Sequence, residues 1–228
     1  MHEEMVNSMM IEFDGKKIDL LPTKIVAVAR NYRSHAEEMG APVLKVPTIF
    51  LKPPSALIGD NGTVILPKIS ERVDYEVELA VIMKKKCRNV SVKDAVQYIE
   101  GYSIFVDVTA RDIQTEAKKK GLSWAVAKGF DTFAPLGPKI VPFDTIDLDN
   151  CEIWLKVNDE YKQRGNTRDM IFTVGKLVSY ISTVMTLEPM DLIATGTPEG
   201  VGPLKGGDRI EAGVEGIGVL ALTAKKEM

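Results

Sequence analysis

The sequence predicts an α+β domain that is mainly β, and three observations carry that prediction. Short apolar or alternating runs recur along the whole chain, many of them bounded by Gly, Pro or Asp. Helical periodicity is confined to a few segments, and strand and helix never alternate in the βαβα order of a doubly wound sheet. With 228 residues, 45% of them hydrophobic and 27% charged, the chain can bury a full core.

In chain order, "MIEFDGKKIDLL" reads as two strands about an Asp14-Gly15 turn, closed off by Pro22. Residues 1–20 are therefore expected as a short strand-turn-strand extension and 21–228 as a single domain. Further strands are expected at "KIVAVA", "TIFLK", "TVILP", "YEVELAVIM", "YSIFVDV", "EIWLKVN", "DLIAT", "DRIEA" and "GVLALTA". Helices are expected at "SHAEEMG", "VKDAVQYIE", "ARDIQTEAKKKG" and "FTVGKLVSYISTVM".

The charge balance narrows the function classes. A net charge of −3, with both signs interspersed, gives no electrostatic footprint for nucleic acid or an anionic membrane. The amino terminus "MHEEMVNSMM" has no apolar core of signal-peptide length, and no stretch approaches the roughly 20 apolar residues of a membrane span. A cytoplasmic protein without membrane or nucleic-acid partners is expected. Cys87 and Cys151 lack the CxxC spacing of a metal site and are expected as buried free thiols.

The chemistry begins at "RVDYEVELAVIM", where Asp74, Glu76 and Glu78 share one face of a strand and Val73, Tyr75, Val77, Leu79 and Val81 share the other. Same-face neighbours sit about 7 Å apart, and two ionised carboxylates at that range repel by roughly 2 kcal/mol at an effective dielectric of about 20. Two readings resolve the repulsion. The row is either a solvent-facing strand edge or a site for a hard divalent cation that takes carboxylate oxygens.

A second acid sits in "GYSIFVDVTARDIQ", where Asp107 is the sole charge between Gly101 and Ala110. Thr109 and Asp112 have the spacing of a helix start, which sets Arg111 and Gln114 on one face beside Asp107. The acid then belongs either to a site or to a structural ion pair with Arg111. In "RNYRSHAEEMG", Ser34 is expected as a helix cap, with His35 and Glu38 three apart on one face. His35 is a general base oriented by Glu38, or an ordinary surface histidine. Lys128, after the apolar run "SWAVA", is an anion contact or a solvated charge. The Gly-rich turn "ATGTPEGVG" offers the Thr195 and Thr197 hydroxyls and backbone N–H groups to a carboxylate or oxyanion. It lacks the ending of a phosphate loop, and "GVEGIG" is followed by a strand, which excludes a dinucleotide fingerprint.

As an ordered set, "RNYRSHAEE", "DYEVELAVIM", "GYSIFVDVTARDIQ", "AKGFDTFAPLGP", "IFTVGKLVSYIS", "LEPMDLIATGTPEGVG" and "GDRIEAGVEGIG" resemble the successive signatures of the fumarylacetoacetate hydrolase family over residues 20–225. The resemblance implies a distorted, mixed β-sandwich roll with peripheral helices, usually a homodimer, and makes 21–228 the catalytic domain. It also implies that Glu76, Glu78 and Asp107 bind one Mg²⁺ or Mn²⁺ while Asp74 gives structural support. Arg30, Arg111, Gln114, Lys128 and Thr197 would line the substrate side, and His35 with Glu38 would form the catalytic pair, Lys128 assisting. The short amino-terminal part and the His–Glu pair in one helix resemble the smaller acylpyruvase-like and oxaloacetate-decarboxylase-like members. One departure is Met190, where that family commonly carries Gly.

The implied activity is divalent-metal-dependent chemistry on a small 2-oxo acid or dicarboxylate, through an enolate that the metal stabilises. Hydrolysis of 3-acylpyruvates and decarboxylation of oxaloacetate both fit this chemistry. Alternatives are isomerisation of 2-hydroxyhepta-2,4-diene-1,7-dioate, an oxaloacetate tautomerase activity, and a non-catalytic domain that binds metal and ligand.

Overall fold

The computed structural model describes residues 9–38, 40 and 45–228, with the side chains of residues 35 and 36 excepted. Its first strands, β1 (Met9–Phe13) and β2 (Lys16–Leu20), form an antiparallel hairpin about Asp14 and Gly15, both at positive φ. There follow β3 (Ile25–Ala29), α1 (Arg33–Glu38), β4 (Thr48–Lys52), β5 (Leu57–Ile58), β6 (Gly62–Leu66), β7 (Val73–Tyr75) and β8 (Val77–Met83). The middle of the chain forms β9 (Ile99–Val106), β10 (Thr109–Ala110), α2 (Arg111–Lys120), α3 (Ala125–Lys128) and β11 (Ala134–Pro142). The remainder forms β12 (Glu152–Val157), β13 (Glu160–Asn166), α4 (Val174–Val184), β14 (Leu192–Ala194), β15 (Gly202–Pro203), β16 (Arg209–Val214) and β17 (Gly218–Lys226).

These strands make three sheets, the two larger ones mixed and the smallest antiparallel, and the fold is mainly β as the sequence predicts. The largest follows the order β2-β1-β11-β9-β8-β14-β3-β4, with β5 paired to β11. A five-stranded sheet runs β13-β12-β16-β17-β6, and a small one, β10-β7-β15, joins the two regions. Alternation along β8 assigns each of its faces a different job. Val77, Leu79 and Val81 pack with Ile153 and Leu155 of β12 and Ala212 of β16, so one core lies between the two larger sheets. Ala80 and Ile82 point the other way, into a second cluster with Ala27, Phe105, Leu136 and Ala194.

The local departures from expectation have physical causes. The helix expected at "VKDAVQYIE" is a single 3₁₀ turn at Ala95–Tyr98, because Ile99 and Glu100 already belong to β9. Strand β11 escapes the sequence pattern because it holds Pro135, Gly137, Pro138 and Pro142, and β13 escapes it because this edge strand is mostly exposed and polar. Ser34 is not a cap: it lies inside α1, and its hydroxyl donates to Glu199. Helix α2 does start where the sequence predicts, with Asp112 in its first turn, but Thr109 is not its cap. Ala110 occupies the N-cap without a side-chain bond, while Asp112 accepts from Ser70 Oγ at 2.6 Å and Glu71 N at 2.9 Å.

Met190 sits at φ 67°, in the left-handed region that favours glycine. Cys87 and Cys151 are free and buried. Among the described residues, no helix is long and apolar enough to cross a membrane.

Candidate active site

The acidic row is not one continuous strand. β7 ends at Tyr75 and joins the small sheet, β8 begins at Val77 and joins the large one, and Glu76 falls at the break. The partner chain segment breaks at the same level, between β9 and β10. Val77 faces Val106 on one side of the gap and Asp74 faces Thr109 on the other, so extending either ladder sets Glu76 opposite Asp107. One bond crosses the break, from Asp107 N to Glu76 O at 2.8 Å. Pleating then puts Glu76, Glu78 and Asp107 on one side, each with a carboxylate oxygen within 4.8 Å of the others.

All three acids are buried, which rejects the reading of a wet strand edge. Cations meet two of them. Lys128, at the end of α3 and only 2% exposed, donates to Asp107 Oδ2 at 2.5 Å, Thr109 Oγ1 at 2.6 Å and Glu76 Oε2 at 3.1 Å. Burial alone would lower its ammonium, but Asp107 and Glu76 outweigh that and hold it above the usual lysine value. A second lysine, Lys52 at the end of β4, donates to Asp107 Oδ1 at 2.7 Å and to Val108 O at 3.0 Å. Burial holds Lys52 below its ordinary value, and Asp107 offsets only part of this.

Glu78 has a different neighbourhood. Gly196 N donates to its Oε2 at 2.7 Å, so the Gly-rich turn spends an N–H on an internal carboxylate. Gly196 is held at φ 94°, and a Cβ there would lie 2.7 Å from Asn31 Cβ, which explains the glycine. Burial first, then Asp107 and Glu76, push Glu78 well above the carboxylate range, with the Gly196 bond opposing them. Three buried carboxylates with converging oxygens, of which Glu78 has no ion pair among the described residues, suit a hard divalent cation. The donor set of the site therefore fits the ion that the family resemblance implies.

Asp74 stands apart. Its Oδ1 accepts from Arg72 Nε at 2.8 Å and its Oδ2 from Arg111 Nε at 2.7 Å. Arg111 also bonds Glu76 through Nη2 and Gln114 Oε1 through Nη1 at 2.6 Å, so it ties the support to the site instead of pairing with Asp107. Burial alone would lower its guanidinium, but Glu76 and Asp74 more than reverse this.

A cavity of about 340 Å³ opens over the acids, lined by Val28, Arg30, Phe50, Gln114, Trp124 and Thr197 among others. Of the residues named from sequence, Arg30, Glu76, Glu78, Arg111, Gln114, Lys128 and Thr197 all line it. Asp107 lies buried beneath, and Thr195 faces away, its hydroxyl donating to Leu79 O at 2.9 Å. α1 carries His35 and Glu38; the His35 side chain lies outside the described residues, and Glu38 Oε1 accepts from Gly200 N at 3.2 Å.

Two residues of this neighbourhood are not evident from sequence motifs. Lys52 is a lone charge ending the apolar "TIFLK", the same signal that singles out Asp107. Gln163 is a buried amide in the polar edge strand β13, and no pattern marks it.

The description "Fumarylacetoacetate (FAA) hydrolase C-terminal" matches residues 24–224 of this chain. Oxaloacetate tautomerase FAHD1 of Arabidopsis thaliana, a mitochondrial protein, is 50% identical over 86% of this chain and 87% of its own. The mitochondrial oxaloacetate decarboxylase of Dictyostelium discoideum is 47% identical over 85% and 89%. Among solved structures, fumarylpyruvate hydrolase from Pseudomonas aeruginosa in complex with Mn²⁺ and pyruvate superposes with a TM-score of 0.91, at 30% identity, over 96% of this chain and 97% of that one.

Proposed function

Because the chain belongs to the fumarylacetoacetate hydrolase family, we propose that it is a divalent-metal-dependent enzyme acting at C3 of small 2-oxo acids. The observation that carries this reading is the buried Glu76, Glu78 and Asp107 triad at the floor of a cavity walled by Arg111, Lys128 and Gln114. The three acids would hold Mg²⁺ or Mn²⁺ through one oxygen each. When bound, such an ion supplies the positive charge that polarises a 2-oxo carbonyl and offsets the charge developing there as a bond at C3 breaks.

The chain's own groups would do the rest. Gln114 and Thr197 would bind and orient the substrate carboxylate, with Arg111 setting the angle of Gln114 through their 2.6 Å bond. Lys128 is placed to balance negative charge without being deprotonated, since its carboxylate neighbours favour the ammonium. His35 with Glu38 would serve as base. Taking a proton from C3 while the 2-oxo oxygen gains one converts keto to enol, and taking it from that oxygen while C3 gains one restores keto. Taking a proton from water lets that water attack an acyl carbonyl, after which the C3–acyl bond breaks to give pyruvate and a carboxylic acid.

The two oxaloacetate-directed relatives favour oxaloacetate as the first substrate. Likeness to a fumarylpyruvate hydrolase favours hydrolysis of acylpyruvates as the second reading. An activity panel with Mg²⁺ tests both: oxaloacetate followed for tautomerisation and for carbon dioxide, acylpyruvates, fumarylacetoacetate and hydroxyheptadienedioate. Turnover that falls in His35→Ala by about 100-fold, in the range of lost general base catalysis, supports the reading. A protein stabilised by Mg²⁺ with oxalate that turns over nothing on the panel is a non-catalytic binder.

A further inference from the structure

The two buried lysines at Asp107 differ in what else they touch. Lys128 lines the cavity and divides its donors among Asp107 Oδ2 at 2.5 Å, Thr109 Oγ1 at 2.6 Å and Glu76 Oε2 at 3.1 Å. Lys52 does not line the cavity. Among the described residues its ammonium makes two hydrogen bonds, to Asp107 Oδ1 at 2.7 Å and to Val108 O at 3.0 Å. Lys128 can therefore release Asp107 and keep two acceptors, whereas Lys52 without Asp107 is a buried ammonium left with a single carbonyl.

The fold fixes Lys52 in this position. It is the last residue of β4, opposite Ile25 of β3, and only 1% exposed. Pro53 and Pro54 follow it, and Ala56 N closes the next turn on Pro53 O at 3.0 Å. Two prolines with fixed φ leave the backbone after Lys52 little freedom. The ammonium lies 5.9 Å from the centre of the Phe133 ring, and that ring is itself fully buried, so one flank of the ion pair is apolar.

From this division of labour we infer that Lys52 is a positioning residue that keeps one oxygen of Asp107 occupied, leaving the acid a single oxygen for an ion and selecting Mg²⁺ against Ca²⁺. The inference rests on the reading of the triad as a divalent-ion site. The selection follows from coordination chemistry. Mg²⁺ demands a near-octahedral shell at about 2.0–2.1 Å, whereas Ca²⁺ takes roughly 6–8 oxygens and accepts carboxylates through both. Because Lys52 lies off the cavity, it acts on the ion through Asp107 and touches no substrate.

The test follows free and bound Mn²⁺ by electron paramagnetic resonance while Mg²⁺ or Ca²⁺ displaces it from the protein. The unaltered chain should prefer Mg²⁺. Lys52→Met removes the donor at similar size and should move the Mg²⁺ to Ca²⁺ affinity ratio about tenfold toward Ca²⁺, in the range for loss of a ligand's hydrogen-bond partner. Asn presents one carbonyl oxygen whatever its neighbours, so Lys52→Met made on Asp107→Asn should leave the ratio where Asp107→Asn alone puts it. Should Lys52→Met not fold, Asp107→Asn decides: with one oxygen already occupied, both ions should weaken by the same factor, and a greater loss for Ca²⁺ overturns the role. Ca²⁺ bound as tightly as Mg²⁺ by the unaltered protein, or a ratio unmoved in folded Lys52→Met, also overturns it, since a merely structural lysine weakens both ions alike. If no Mn²⁺ binds at all, the reading of the triad itself fails, and the role of Lys52 with it.

Discussion

Gln163 donates from Nε2 to the Thr197 hydroxyl at 2.8 Å, while its Oε1 accepts from Val77 N at 2.9 Å. The same amide also donates to Pro198 O at 2.9 Å. One buried side chain from an edge strand thereby links the break after Glu76 to the turn that lines the cavity. Gln163→Leu keeps the size but leaves Val77 N–H and Pro198 O without this partner. Each unpaired buried group costs about 1–3 kcal/mol, so a loss of roughly 2–6 kcal/mol is expected in urea unfolding. Loss below about 0.5 kcal/mol would place the amide outside the structural frame of the site.

Met190 occupies a left-handed position at φ 67° and is partly buried against the cluster on the second face of β8. Met190→Gly relieves the backbone but gives up side-chain packing and unfolded-state restriction, so stability should move by no more than about 1 kcal/mol. Met190→Val puts a β-branched residue where φ is positive and should cost roughly 2 kcal/mol. The difference between the two variants in one denaturant series is the measurement.

Burial, with Glu215 next, pushes the Cys151 thiol up from 9.0 to about 11, and burial raises Cys87 as well. The native protein therefore keeps protons between pH 9 and 11 that the unfolded chain releases. With fewer protons bound when unfolded, stability must fall as pH rises through that window and be fully present below it. Thermal melts from pH 8 to 11 should show the decline, and Cys151→Ala should make it shallower. A decline of unchanged steepness in that variant would assign it to other groups.

Most of the site was legible from sequence because charges in apolar strands are few. Asp107 stood out for that reason, and alternation put Glu76 and Glu78 on one face. Periodicity could not separate Asp74 from them, because the strand break at Glu76 and the Arg72 and Arg111 partners of Asp74 arise only when three sheets meet. The strand content was read correctly where residues alternate, and was missed in β11, where prolines obscure the pattern, and in β13, where almost nothing is buried. The expected cap at Ser34 failed because its hydroxyl bonds across the fold to Glu199, and Thr109 caps nothing because its hydroxyl is engaged by Lys128 and Asp107.

The central claim is that Glu76, Glu78 and Asp107, and not the equally buried Asp74, hold a divalent ion. Calorimetric titration of Mn²⁺ into chelator-stripped protein tests it directly, comparing Glu76→Gln, Glu78→Gln, Asp107→Asn and Asp74→Asn with the unaltered chain. The account predicts one ion per chain, affinity reduced by at least about tenfold in each of the first three, and a much smaller change in Asp74→Asn. Unchanged Mn²⁺ affinity in the three triad variants, or a loss confined to Asp74→Asn, would contradict it.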